Sequence, residues 1–163
     1  PYSNYLSDQL VPFIDANYRT IRDRRHRVVL GSSHGGLAAF FTGVSHGDVF
    51  GQVIAMSPSF WAGTMAPLRQ SELYRWTEAN LRKRETRPRI YLDWGLHRDG
   101  GPHNKHLEAW ATSRGEDMSD ILRRDHDYVD GVDFMAVADP DGQHNEETWR
   151  RRLPGALRFA LGT

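Results

Sequence analysis

One short run near the amino end carries the most chemistry: Gly31-Ser32-Ser33-His34-Gly35-Gly36, followed at once by the apolar stretch Leu37-Ala38-Ala39-Phe40-Phe41. It fits the pattern G-x-S-x-G, which on a sharp strand-to-helix turn leaves the central serine strained and its hydroxyl projecting. The positions two before and two after that serine must be small to avoid collision, and Gly31 and Gly35 stand there. The helix start that follows directs N–H groups and a positive dipole end at the serine oxygen. Ser33 is therefore the candidate nucleophile. Ser32 falls at the first x, where a strand end hides the side chain. Glycines before a helix can also cradle phosphate, but the Walker pattern needs a lysine just ahead of the helix and none is present.

A neutral hydroxyl is a poor nucleophile and needs a base to take its proton. Of the eight histidines, His144 is singled out by its setting. It follows the last β-rich run by the short loop Ala138-Asp139-Pro140-Asp141-Gly142-Gln143, and it precedes an amphipathic final segment. It also comes late in the chain, as the order serine, acid, histidine requires. His34, directly after Ser33, is expected to lend its backbone N–H to an oxyanion hole. The acid that orients the imidazole should come from the loop after the third strand. Asp93 still belongs to the strand run, whereas Asp99 lies in Gly95-Leu96-His97-Arg98-Asp99-Gly100-Gly101, where a carboxylate is free to reach His144. Asp99 is the expected acid and Asp93 the alternative.

These groups need elements that bring them together. Four β-rich runs occur at 27–30, 52–56, 89–93 and 132–137, and their continuous apolar character suits strands covered on both faces. Candidate helices lie near 35–44, 66–80, 116–127 and 145–161. Upstream, Tyr5, Leu6, Leu10, Val11, Phe13, Ile14 and Tyr18 recur at helical spacing over 3–18, with Pro12 expected to kink that helix. Alternation of strand and helix predicts an α/β fold whose active groups gather at the carboxyl ends of the strands. The segment 96–115, with Trp110, reads as a polar loop flanking the pocket. Phe60, Trp61 and Trp94 follow strand ends and are candidates for its lining.

Composition narrows the function classes. The 163 residues suffice for one domain with a core, and 39% apolar content is that of an ordinary globular protein. The 21 basic and 21 acidic residues balance, so neither nucleic acid nor an anionic membrane is expected as a partner. Cysteine is absent, which removes disulfides, a thiolate nucleophile and a cysteine zinc site while leaving the compartment open. His97, His103 and His106 lie near Asp99 but lack the regular helical spacing of a ligand set such as HExxH, so no metal is expected. The chain opens at Pro1 with neither an initiator Met nor a signal-like apolar stretch, as a processed or truncated product would.

An ordered set of motifs runs through nearly the whole chain. It comprises Leu10-Val11-Pro12-Phe13-Ile14 with Tyr18-Arg19, then Gly31–Gly36, and Asp48-Val49-Phe50 leading to Ser57-Pro58-Ser59-Phe60-Trp61. Tyr91-Leu92-Asp93-Trp94-Gly95 and His144-Asn145-Glu146 with Trp149 and Arg152-Leu153-Pro154 complete it. This set resembles the esterase D family of α/β-hydrolase serine esterases, and Ser-Phe-Trp and His-Asn-Glu resemble its siderophore-esterase-like branch. The resemblance implies the C-terminal half of an α/β-hydrolase fold, mostly parallel sheet with helices on both faces, forming one domain over 1–163. It implies hydrolysis of a small-molecule carboxylic ester through an acyl-enzyme, with Ser33, His144 and a loop carboxylate near Asp99, and no cofactor. Acyl transfer by the same groups and a noncatalytic hydrolase-like binding module are the alternatives. His34 departs from the Met, Leu or Gln usual after the serine, which alters pocket shape more than chemistry. The family's upstream strands, with a His-Gly segment giving the second oxyanion N–H, have no counterpart here. The 27–30 strand is then expected to have an uncovered apolar edge, to be covered by a missing N-terminal segment or a second copy, and the chain alone to be a poor catalyst.

Overall fold

In the computed structural model, which describes residues 2–63, 66–82 and 84–162, strands β1 (Val28–Ser32), β2 (Gln52–Met56), β3 (Arg89–Gly95) and β4 (Phe134–Asp139) form one parallel sheet in the order β1-β2-β3-β4. Each strand is joined to its neighbour through helical segments. These are α3 (His34–Ser45) after β1, α4 (Glu72–Asn80) after β2 and α5 (Gly101–His126) after β3, while α6 (Glu146–Leu161) follows the last strand, β4. The fold is α/β, with helices on both faces of the sheet.

The period-2 geometry of a strand assigns the two faces. Along β2, all five positions are buried, and alternate residues enter different cores. Val53 and Ala55 pack with Phe40 and Val44 of α3 and Met118, Ile121 and Leu122 of α5, whereas Ile54 and Met56 pack with Ala156, Phe159 and Ala160 of α6. Strand β3 repeats the rule, with Ile90, Leu92 and Trp94 on the first face and Tyr91 on the second. A side chain at 93 is thereby directed toward α6, which matters below. β1 forms an edge of the sheet, and Leu30 at its centre is 50% exposed.

Two departures from expectation have local causes. The first helical segment is composite, with α1 (Tyr2–Tyr5), a π-helical stretch Leu6–Leu10 and α2 (Val11–Asn17). Pro12 lies in the first turn of α2, and the Val11 N–H reaches back five residues to the Leu6 carbonyl. The wider turn removes the demand for the N–H that proline lacks. Helix α5 begins at Gly101 rather than near 116, so most of 96–115 is helix and not loop. Pro102 in its first turn is a regular helix-start signal. The buried stripe Asn104, Glu108, Ala111, Gly115, Met118 and Leu122 has helical spacing, but its first two members are polar and hide the periodicity.

Candidate active site

β1 ends in the turn that the serine motif requires. Ser33 has φ 56° and ψ −122°, a conformation costly for a residue with a Cβ, and it serves as N-cap of α3 without a side-chain cap bond. The turn is held from both sides. The Ser33 N–H donates to the Met56 carbonyl (2.9 Å), and its own carbonyl accepts from Leu37 (3.1 Å) and Ser59 (3.0 Å). A Cβ on Gly31 would lie 2.2 Å from the Gly35 carbonyl oxygen, so that position tolerates nothing larger than glycine. The expectation for Gly35 is corrected: a Cβ there would meet nothing within 4 Å, because it faces open space at the mouth of the site. The N–H groups of His34, Gly35 and Gly36 belong to the first turn of α3, where no intrahelical acceptor exists.

His144 Nε2 lies 2.9 Å from Ser33 Oγ across 111 residues of chain. Its mounting is rigid. Asn145 caps α6 by accepting from the Thr148 N–H (3.1 Å), and the Thr148 hydroxyl donates back to the Gln143 carbonyl (2.5 Å). The His144 N–H donates to Asn104 Oδ1 of α5 (2.7 Å), whose amide nitrogen in turn donates to the His97 and Asp99 carbonyls. The loops after β3 and β4 touch closely, since a Cβ on Gly95 would lie 2.1 Å from the Gly142 carbonyl oxygen. The His144 side chain is 3% exposed and packs edge-on to Trp149, with ring centroids 5.1 Å apart.

The carboxylate beside this imidazole is Glu108, not Asp99. Glu108 Oε1 stands 3.6 Å from His144 Nδ1, slightly longer than a formed hydrogen bond, and the side chain is fully buried. Nδ1 has no hydrogen-bond partner among the described residues. Asp99 is 94% exposed at its side chain, and its ion pair is to His97 at 3.9 Å. The extension of α5 explains the correction: residues 101–108 fold into two helical turns, which carry Glu108 back under the loop and leave Asp99 at the surface. The other sequence candidate, Asp93, is buried but faces α6, where Oδ1 accepts from Arg152 Nη2 (3.0 Å) and the Ser57 N–H (3.1 Å). Burial pushes its carboxyl up to about 6, with the Arg152 guanidinium and the Ser57 N–H offsetting part of that rise.

A sequence profile for the family described as "Putative esterase" matches residues 1–160. The chain belongs to that esterase family. Among solved structures, it is similar to a ferulic acid esterase at 24% identity and TM-score 0.65, covering 99% of this chain and 60% of that one. It is similar also to enterochelin esterase from Shigella flexneri at 21% identity and TM-score 0.68, covering 98% of this chain and 36% of that one. Among curated proteins, "Uncharacterized protein YbbA" of Bacillus subtilis (strain 168) is 34% identical over 61 residues, covering 36% of this chain and 24% of that protein. The chain thus spans between about a quarter and three fifths of the length of these relatives. At such identities the solved structures speak for the fold, and they agree with the parallel sheet and its flanking helices.

The surroundings of Ser33 redistribute the expected pocket residues. Phe60 is 1% exposed and packs edge-on to Phe40 at 5.1 Å; Trp94 is 5% exposed over Gly115. Both are core, and the pocket reading is corrected for them. Trp61 does face the site, with its ring 6.2 Å from His144 and 6.1 Å from Trp110 of α5. His103 joins this rim at 6.3 Å from His144, while His106 lies against Trp110. An apolar hollow of about 360 Å³, lined by Tyr2, Leu37, Ala38 and Phe41, opens beside His34. Two further hydroxyls went unread in the sequence. Ser59 Oγ is 3.3 Å from Ser33 Oγ, and Ser57, at φ 39°, donates to Glu108. Their spacing in Ser57-Pro58-Ser59 after a buried strand was the available signal.

Proposed function

We propose that the chain carries the catalytic core of a serine ester hydrolase, with Ser33 as nucleophile, His144 as base and Glu108 as the carboxylate that orients the base. The observation that supports it most is the 2.9 Å approach of His144 Nε2 to the hydroxyl of a serine held at positive φ. In that reading, Nε2 accepts the Ser33 proton as Oγ attacks the ester carbonyl, and Nδ1 carries the hydrogen facing Glu108. The oxygen of the tetrahedral adduct meets the backbone N–H of His34 at the start of α3. The imidazolium then gives its proton to the leaving alcohol, which leaves an acyl-Ser33. Water, deprotonated by His144, attacks that acyl group, releases the acid and restores the hydroxyl. Glu108 offsets the positive charge that forms on the ring. From its 3.6 Å separation, Glu108 Oε1 has only roughly a few tenths of an ångström to close to reach hydrogen-bond distance of Nδ1.

The test is covalent labelling of the intact protein with a fluorophosphonate, followed by peptide mapping. Stoichiometric modification at Ser33, lost in Ser33→Ala together with hydrolysis of short acyl esters, is the expected result. An unlabelled Ser33 in folded protein would instead leave a hydrolase-like binding module.

A further inference from the structure

Behind the imidazole lies a buried polar cluster that proton transfer from Ser33 does not itself use. Ser57 stands at its centre with no exposed surface, just past the end of β2. Its hydroxyl has three neighbours. Trp149 Nε1 lies at 3.2 Å, Arg152 Nη2 at 3.1 Å and Glu108 Oε1 at 2.8 Å. Indole and guanidinium nitrogens can only donate, and a hydroxyl offers two lone pairs and one hydrogen. Trp149 and Arg152 therefore occupy both lone pairs, and the hydrogen has one acceptor left, Glu108 Oε1. That oxygen is the one nearest His144 Nδ1. The second oxygen, Oε2, accepts from the Gly95 N–H at 3.2 Å. Both oxygens of Glu108 thus accept a hydrogen bond, which fixes the orientation of the carboxyl plane.

The charges follow the same geometry. Arg152 is 5% exposed at its side chain and is shared between Asp93 (3.0 Å) and Asp139 (3.4 Å) while also donating to Ser57. The Ser57 N–H donates to Asp93 Oδ1 at 3.1 Å, so one residue links both buried carboxylates. Ser57 also adopts φ 39°, backbone strain of the same kind as at Ser33. A serine at a strained, solvent-free position whose hydroxyl bonds are all taken is placed for orientation and not for reaction.

We propose that Ser57, saturated by Trp149 and Arg152, is a positioning residue that holds Glu108 as a carboxylate aimed at His144. The proposal rests on the reading of Glu108 given above and adds the device that keeps it in place. The test is a double-mutant cycle of Ser57→Gly and Glu108→Gln in the intact protein, read as kcat and KM for one short acyl ester. Glycine removes the hydroxyl and tolerates φ 39°, so the variant keeps the turn; thermal unfolding and the amount of active serine titrated by fluorophosphonate verify this. Ser57→Gly alone should lower kcat by about 10- to 100-fold, the rate equivalent of one hydrogen bond to a charged group, with KM within about twofold. In the Glu108→Gln background, the same change should cost less than about threefold, because the group it positions is already neutral. Equal losses in both backgrounds, or no loss in the first, overturn the positioning role while leaving Glu108 intact. A Glu108→Gln variant with undiminished kcat overturns the parent reading instead, and this one with it.

Discussion

The two ends of the sheet are built on opposite principles. At the amino ends of the strands, arginines serve as staples. Arg24 donates to the Thr86 and Arg87 carbonyls (2.9 and 3.0 Å), Arg27 to the Val49 carbonyl (3.0 Å) and Asp15 (2.8 Å), and Arg89 to the Val132 carbonyl (2.9 Å). Arg87 donates to the His126 carbonyl (2.6 Å), pairs with Asp133 and lies over the Tyr128 ring. These guanidiniums bond chiefly to backbone carbonyls, and the loops there are tied down. At the carboxyl ends, β1 and β2 each run into a serine at positive φ, Ser33 and Ser57. Two carboxylates, Asp93 and Glu108, are fully buried there, and His144 Nδ1 stands 3.6 Å from Glu108 with no hydrogen bond formed among the described residues. One end spends its polar groups on holding the chain, while the other accepts strain and costly burial to aim a few atoms.

The strongest way to break this contrast is to neutralise Glu108 and Asp99 one at a time. Glu108→Gln should lower kcat by about 10³- to 10⁴-fold, as loss of the orienting acid does elsewhere, while Asp99→Asn stays within about twofold. Steady-state kinetics on one ester reads both, and the reverse pattern would return the role to Asp99. A second test sharpens the cost side. Because Asp93 is raised to about 6 in the folded state, the native protein holds that proton to higher pH than the unfolded chain does. The stability linked to it is complete below about pH 4 and is lost as pH rises through about 6, a decline of up to about 3 kcal/mol. Urea midpoints taken between pH 4 and 7 should show this decline in the wild type and a flatter profile in Asp93→Asn. The smallest expected changes in stability compare the two ends directly. Arg87→Ala should cost about 2 kcal/mol and leave kcat/KM of the folded fraction unchanged. Ser33→Gly should abolish activity yet gain about 1 kcal/mol, since glycine relaxes the φ 56° turn. Chemical denaturation of the two variants side by side decides it.

Local signals and long-range ones differ in how far they could be read. Strand and helix alternation was legible because each β run carries a block of consecutive apolar residues, as Val53-Ile54-Ala55-Met56 of β2 illustrates, all buried. The elbow was legible because its needs are local: Gly31 must clear the Gly35 carbonyl, and a helix must follow. His144 was legible from its place after the last strand. Glu108 was not. Its helix starts with Gly100-Gly101-Pro102, which reads as loop, and its buried face opens with Asn104 and Glu108, which read as solvent-facing. Phe60 and Trp94 were misplaced for the complementary reason: an aromatic residue near a strand end looks the same in sequence whether it lines a pocket or fills a core, and β3 runs on through Trp94 to Gly95.

The amino-acid order by itself determined which hydroxyl could be strained, which imidazole could arrive from a strand's carboxyl end, and that a parallel sheet would bring them together. Those are properties of neighbours along the chain. Only the tertiary structure decided which carboxylate stands behind the imidazole and which way the Ser57 hydrogen points. Such choices depend on groups as many as 95 positions apart, Ser57 and Arg152, meeting where no water competes for their bonds.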